Sequence, residues 1–155
     1  MTIKNLLLIS ALAFSSPGYA TTLIFDKAGF EISTLEAPPG PEGTQALIMM
    51  LPAEGGFAAN VNVQIQPYAG SLADYKKLSE SQFSQLGFKV MTSAIDKNIL
   101  TFEYAGSMSD QTLHWYSRAI KKGNFIYLVT ATSQERNWLK NKAALETSVN
   151  SFKLK

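Results

Sequence analysis

Residues 111–132, QTLHWYSRAIKKGNFIYLVTAT, constrain the fold of this chain more than any other stretch. Two runs rich in β-branched and aromatic residues flank the turn sequence Lys121-Lys122-Gly123-Asn124, so the segment reads as a β-hairpin. Its second arm, residues 125–131, is apolar at both alternating sets of positions. Phe125, Tyr127 and Val129 share one face; Ile126 and Leu128 share the other. A strand with two apolar faces belongs inside a sheet that is covered on both sides. The rest of the chain must supply its neighbours and its covers.

Short strands are expected at residues 22–25 and 30–34, joined by the turn Asp26-Lys27-Ala28-Gly29. Residues 38–43, PPGPEG, form a loop, because closely spaced prolines exclude helix and central strand. Residues 45–51 are an apolar run of strand length that ends at Pro52. Residues 57–66 alternate: Val61, Val63 and Ile65 point one way, and Asn60, Asn62, Gln64 and Gln66 the other. Period two with one polar face marks a strand packed on one side.

The period then changes. Leu72, Tyr75, Leu78, Gln82/Phe83 and Leu86 recur at three and four, the stripe of an amphipathic helix over residues 71–86. Ser71 with Asp74 reads as a capping box, and Gly87 as the C-terminal stop. Strands follow at residues 88–93 and 98–105, and a loop is expected at residues 106–110, GSMSD. After the central hairpin, Thr132 and Glu135 suggest a second capping box. The helix they would open carries Trp138, Leu145, Val149 and Phe152 on one stripe, with Leu139 at its edge. Consecutive strands joined by short turns, with two helices, imply an α+β fold: an antiparallel β-sheet flanked by helices.

The first twenty residues have a different character. Lys4 precedes the apolar run 6–14, and SSPGYA follows, with Gly18 and Ala20 at the −3 and −1 positions of a cleavage site. This is the pattern of a secretory signal peptide over residues 1–20. The run is too short to span a bilayer, which takes ~20 apolar residues. A single domain is expected over residues 21–155, with no transmembrane segment, in a periplasmic or secreted location.

Charges of both signs are interspersed, so no basic stripe points to nucleic acid. With no cysteine and one histidine, His114, thiol catalysis, disulfides and multi-histidine metal sites are excluded. His114 and Ser117 sit at strand positions of opposite parity, which argues against a hydrolase dyad. The scattered acids lack calcium-loop spacing. Trp115 and Trp138 sit among apolar neighbours, as core residues do.

The chain from about Phe25 to Phe152 resembles the PsbP-like fold, an α/β/α sandwich. Within it, the chain is similar in character to small exported bacterial members such as the DcrB family. The resemblance rests on Gly29-Phe30-Glu31-Ile32 before the Pro-rich loop, on ANVNVQIQP followed by SLADYKKLSESQFSQLG, and on YLVTATSQ before a last helix ending Ser151-Phe152-Lys153. It implies a binding, assembly or accessory role and carries no catalytic motif or cofactor. The expectation is therefore an exported non-catalytic envelope protein with a protein partner. The alternatives are a small periplasmic hydrolase or metal-dependent enzyme, and a chaperone-like binder of secretion substrates. The expected partner surface is the amide face Asn60, Asn62 and Gln64, because amides are costly to bury without partners.

Overall fold

The computed structural model describes residues 21–35 and 37–155; the expected signal peptide, residues 1–20, lies outside the described residues. The chain divides into two compact units that meet in sequence at Pro38 and Pro39. In the first, β1 (Thr22–Phe25) pairs antiparallel with β2 (Phe30–Ser33). The turn between them closes through Gly29 at φ 75°, and the rings of Phe25 and Phe30 stack at 4.7 Å.

The second unit holds a six-stranded antiparallel sheet and two helices. In chain order these are β3 (Thr44–Met50), β4 (Asn60–Pro67), α1 (Leu72–Gln85), β5 (Lys89–Asp96), β6 (Ile99–Met108), β7 (Gln111–Lys122), β8 (Phe125–Gln134) and α2 (Glu135–Ser151). The spatial order is β3-β4-β8-β7-β6-β5. The doubly apolar strand β8 thus lies inside the sheet, bonded to β4 and β7. Its alternation is used on both sides. Val129 and Ala131 face α2 with Val61 and Val63, against Trp138, Leu145 and Val149. Ile126 faces α1 with Leu100, Phe102 and Ala119, against Leu72, Tyr75 and Phe83.

The ends of α1 are as expected. The Ser71 hydroxyl accepts from the Asp74 amide at 3.1 Å, and the Asp74 carboxylate accepts from the Ser71 amide at 3.2 Å. Gly87, at φ 69°, closes the helix while the amide of Phe88 bonds the Phe83 carbonyl at 2.9 Å, a Schellman arrangement. The inward stripe is rotated from the expected one. Leu78 and Leu86 are exposed, and Ser79 is buried between Tyr75 and Phe83. A small residue there lets the helix approach the aromatic side chains of β6, and its hydroxyl is satisfied by the Tyr75 carbonyl at 2.9 Å.

Two boundaries differ from the sequence expectation for identifiable reasons. Residues 106–108 continue β6 rather than forming a loop, and the turn shrinks to Ser109 and Asp110, both at positive φ. Gly106 is a strand glycine because the Phe88 ring lies on it; a Cβ there would sit 2.2 Å from Phe88 Cδ1. Thr132 is not a helix cap either. It stays in β8, paired with Trp115, and α2 starts behind Gln134, whose side chain makes no capping bond. Glu135 is engaged elsewhere, on His114.

Trp138 is 4% exposed and stacks on His114 with ring centroids 3.9 Å apart. Trp138→Ala should cost ~3–5 kcal/mol in denaturant melts, the usual range for a large buried aromatic. A loss below ~1 kcal/mol would be inconsistent with this packing.

Candidate functional site

The two faces of the sheet carry different chemistry. On the α2 face, His114 projects from β7 and is 3% exposed. Its Nδ1 lies 2.8 Å from the Glu135 carboxylate and its Nε2 3.2 Å from Glu103, which also meets Lys142 at 3.5 Å. A neutral imidazole could donate to only one of these carboxylates; the imidazolium donates to both. The carboxylates approach opposite edges of the ring, so they do not converge on a point that an ion could occupy. Among the described residues no group of three His, Asp or Glu side chains is arranged to hold a metal. The cluster ties β6 and β7 to the first turn of α2. Ser117, three residues on, faces the other side and bonds Thr130 at 3.1 Å. The His114–Ser117 dyad is therefore ruled out by strand parity, as the sequence implied.

The α1 face is covered unevenly. The helix lies over the β5–β6 side, and its aromatic side chains interlock with those of the sheet. Phe83 stacks on Tyr104 at 4.1 Å, and Trp115 stacks on Phe88 at 5.0 Å and on Tyr104 at 5.1 Å. No helix of this unit covers the β3–β4 side. There the register sets Ile48 beside Asn62, Met50 beside Asn60, and Gln45 beside Gln64. Asn60, Asn62 and Gln64 are half-buried, all on the face opposite Val61 and Val63. The Asn60 side chain donates to the Ala58 carbonyl at 3.1 Å, whereas the side-chain amide of Asn62 makes no hydrogen bond to the described residues.

Two exposed apolar side chains in this row, Ile48 at 44% and Met50 at 62%, were not singled out from the sequence. The run 45–51 is apolar in both alternating sets, which reads as an interior strand, yet β3 is an edge strand. The sequence carries no signal that separates the two positions.

Gln64 and Gln66 link the open side to the covered side. Gln66 Nε2 donates to Gln64 Oε1 at 3.0 Å, and the Tyr75 hydroxyl donates to Gln66 Oε1 at 2.7 Å. Beyond Tyr75 a crevice of about 390 Å³ opens between α1 and the sheet, walled by aromatic, aliphatic and uncharged polar side chains. Burial pushes the Tyr75 hydroxyl up to about 12, with neighbouring Tyr104 adding to the shift. Tyr104 is pushed up as well, again by burial, against the opposing effect of Ser117. Both hydroxyls therefore stay protonated and neutral at physiological pH.

No protein-family model matches this chain, and no curated protein matches it. Solved structures do. The crystal structure of PA94, a Pseudomonas aeruginosa protein of unknown function, matches with a TM-score of 0.59 at 16% identity, over 89% of this chain and 99% of PA94. The solution structure of cyanobacterial PsbP from Synechocystis matches at 0.48 and 14% identity, over 94% of this chain and 99% of that one. LpqN of Mycobacterium tuberculosis, involved in cell envelope biogenesis, matches at 0.35 and 12% identity, over 88% of this chain and 82% of LpqN.

The likeness to PA94 shows a shared fold and nothing about activity. A PsbP is among the matching structures, at a score that adds no argument of its own. The α+β class stands on the register and helix placement above. Kinship with the DcrB family stays an expectation.

The raised Tyr75 has a consequence for stability. An unfolded tyrosine ionises near 10 and the folded one near 12, so between these values the unfolded chain binds fewer protons than the native one. The stabilising contribution is complete below pH 10 and disappears as pH rises through 12. Denaturant melts across this window should show the native chain losing stability more steeply than Tyr75→Phe. Parallel profiles for the two would contradict the burial of this hydroxyl.

Proposed function

We propose that this chain is an exported accessory protein of the bacterial envelope that works by binding a protein partner rather than by catalysis. The observation that carries this reading is the β3–β4 side of the α1 face, which no helix of the second unit covers. Ile48 and Met50 stand in water there beside Asn60, Asn62 and Gln64. Adjacent exposed apolar side chains bordered by polar groups are a hallmark of interaction surfaces. Methionine adds a flexible side chain that adapts to a partner. The amides add hydrogen bonds without net charge.

The edge of β3 strengthens the reading. Residues Thr44–Met50 carry no charge and no proline, the usual devices that keep an edge strand from pairing. Both edge strands carry a register shift, between Gln45 and Leu47 in β3 and between Val90 and Thr92 in β5, but only β5 adds charge, with Lys89 and Asp96. A partner segment of extended backbone and uncharged side chains fits the β3 edge, by strand addition. The export part of the proposal rests on Lys4, the apolar run 6–14 and Gly18-Tyr19-Ala20. The non-catalytic part is supported by His114 and Ser117 facing opposite sides of the sheet.

Affinity capture from periplasmic extract, with the mature chain as bait, tests the proposal. Ile48→Lys, and separately Asn60→Ala with Asn62→Ala, should leave the melting temperature nearly unchanged. Each should weaken capture about tenfold, equivalent to ~1.4 kcal/mol. Folded variants that capture at full strength would place the binding surface elsewhere.

A further inference from the structure

We propose that the crevice between α1 and the sheet is a binding site for a small, neutral, aromatic molecule that carries a hydrogen-bonding group. It goes beyond the partner surface on β3 and β4 and does not depend on it.

Its size is the first argument. About 390 Å³ lies within the range of small-molecule sites, ~300–1,000 Å³. The second argument is its wall. Tyr68, Tyr75, Phe83, Phe102, Tyr104 and Leu128 supply ring and aliphatic surface. Tyr68 and Tyr75 meet edge to face at 5.2 Å, and Phe83 and Phe102 do the same at 5.2 Å, an arrangement into which a further flat ring can pack.

The third argument is the polar groups. Gln66, Ser79, Gln82 and Ser117 line the crevice, and among the described residues no acidic or basic side chain does. The Tyr75 hydroxyl spends its proton on Gln66 and keeps lone pairs to accept with. The Gln82 amide forms no hydrogen bond to the described residues and is exposed on α1, so it offers both a donor and an acceptor at the rim. The Lys121 ammonium lies 5.9 Å from the Tyr68 ring but is held by the carbonyls of Tyr68 and Gly123. An anionic ligand entering the crevice would lose hydration without gaining a counter-charge. The site therefore selects against anions.

The test uses the mature chain with 2-naphthol as the neutral probe and 2-naphthoate as its charged counterpart, by calorimetry and by backbone amide NMR. The expected result is saturable binding of one 2-naphthol per chain, with the largest shifts at residues around Tyr75 and Ser117. Naphthoate should bind at least about tenfold more weakly. Gln82→Trp, at an exposed helix position, should block the crevice and abolish binding, and Tyr75→Phe should weaken it several-fold. Ile48→Lys should bind 2-naphthol like the unmodified chain, which separates this site from the partner surface. The proposal is overturned by any of three results. One is no saturable binding up to the solubility of 2-naphthol. Another is equal affinity for the two probes. The last is full affinity in whichever of Gln82→Trp and Tyr75→Phe proves folded by NMR.

Discussion

The structure depends on one constraint: strand β8 needs apolar cover on both sides. Ile126 and Ala131 are fully buried and Val129 nearly so, on alternate faces of one strand. Each CH₂ removed from water contributes ~0.8 kcal/mol, so neither face can be left open without a large loss. One helix per face is the economical answer, and the chain supplies one on each side of the β5–β8 run. The covers are unlike in character. On the α2 face a histidine held between two carboxylates lies under Trp138, so a buried polar cluster fixes where the helix begins. On the α1 face the contact joins aromatic rings to aliphatic side chains, and a buried serine sets the helix close to the sheet.

The same constraint leaves one area without a helix of the second unit over it. A single 14-residue helix cannot span six strands, and α1 lies toward β5 and β6, where Phe102, Tyr104 and Phe88 receive it. The β3–β4 side of that face keeps its apolar and amide side chains without a helix over them. Beside the Gln66–Tyr75 pair, between α1 and the sheet, the crevice opens. The proposed partner surface and the proposed ligand site both follow from the length and placement of α1.

Most of the fold was legible because periodicity and punctuation agreed. The alternation at Val61, Val63 and Ile65, the capping box at Ser71 and Asp74, and the turn at Gly123-Asn124 each pointed to the observed element. The failures came where a local signal was overruled by packing. Thr132 and Glu135 have capping-box spacing, but continued pairing of β8 with β7 and the demand of His114 for a carboxylate took both residues. Gly106 reads as loop until Phe88 is known to rest on it, a contact between residues 18 positions apart. The α1 stripe was misjudged because leucines at 78 and 86 outweigh Ser79 in a hydrophobic pattern, although Ser79 is the residue that fits. The amide row was legible from alternation alone. The Ile48–Met50 row beside it was not, because a sequence does not tell an edge strand from an interior one. The crevice was invisible, since its lining comes from β4, α1, β6, β7 and β8.

Native-state hydrogen exchange tests the central claim most directly, because it reads the stability of each strand separately. If β8 is the spine, the amides of Ile126, Val129 and Ala131 should exchange only through global unfolding, with the free energy that denaturant melts give for the whole unit. The edge strand β3 should exchange through smaller openings at lower cost. If β8 amides exchange through local opening while β3 is protected to the global limit, the sheet is organised around a different strand and the account fails.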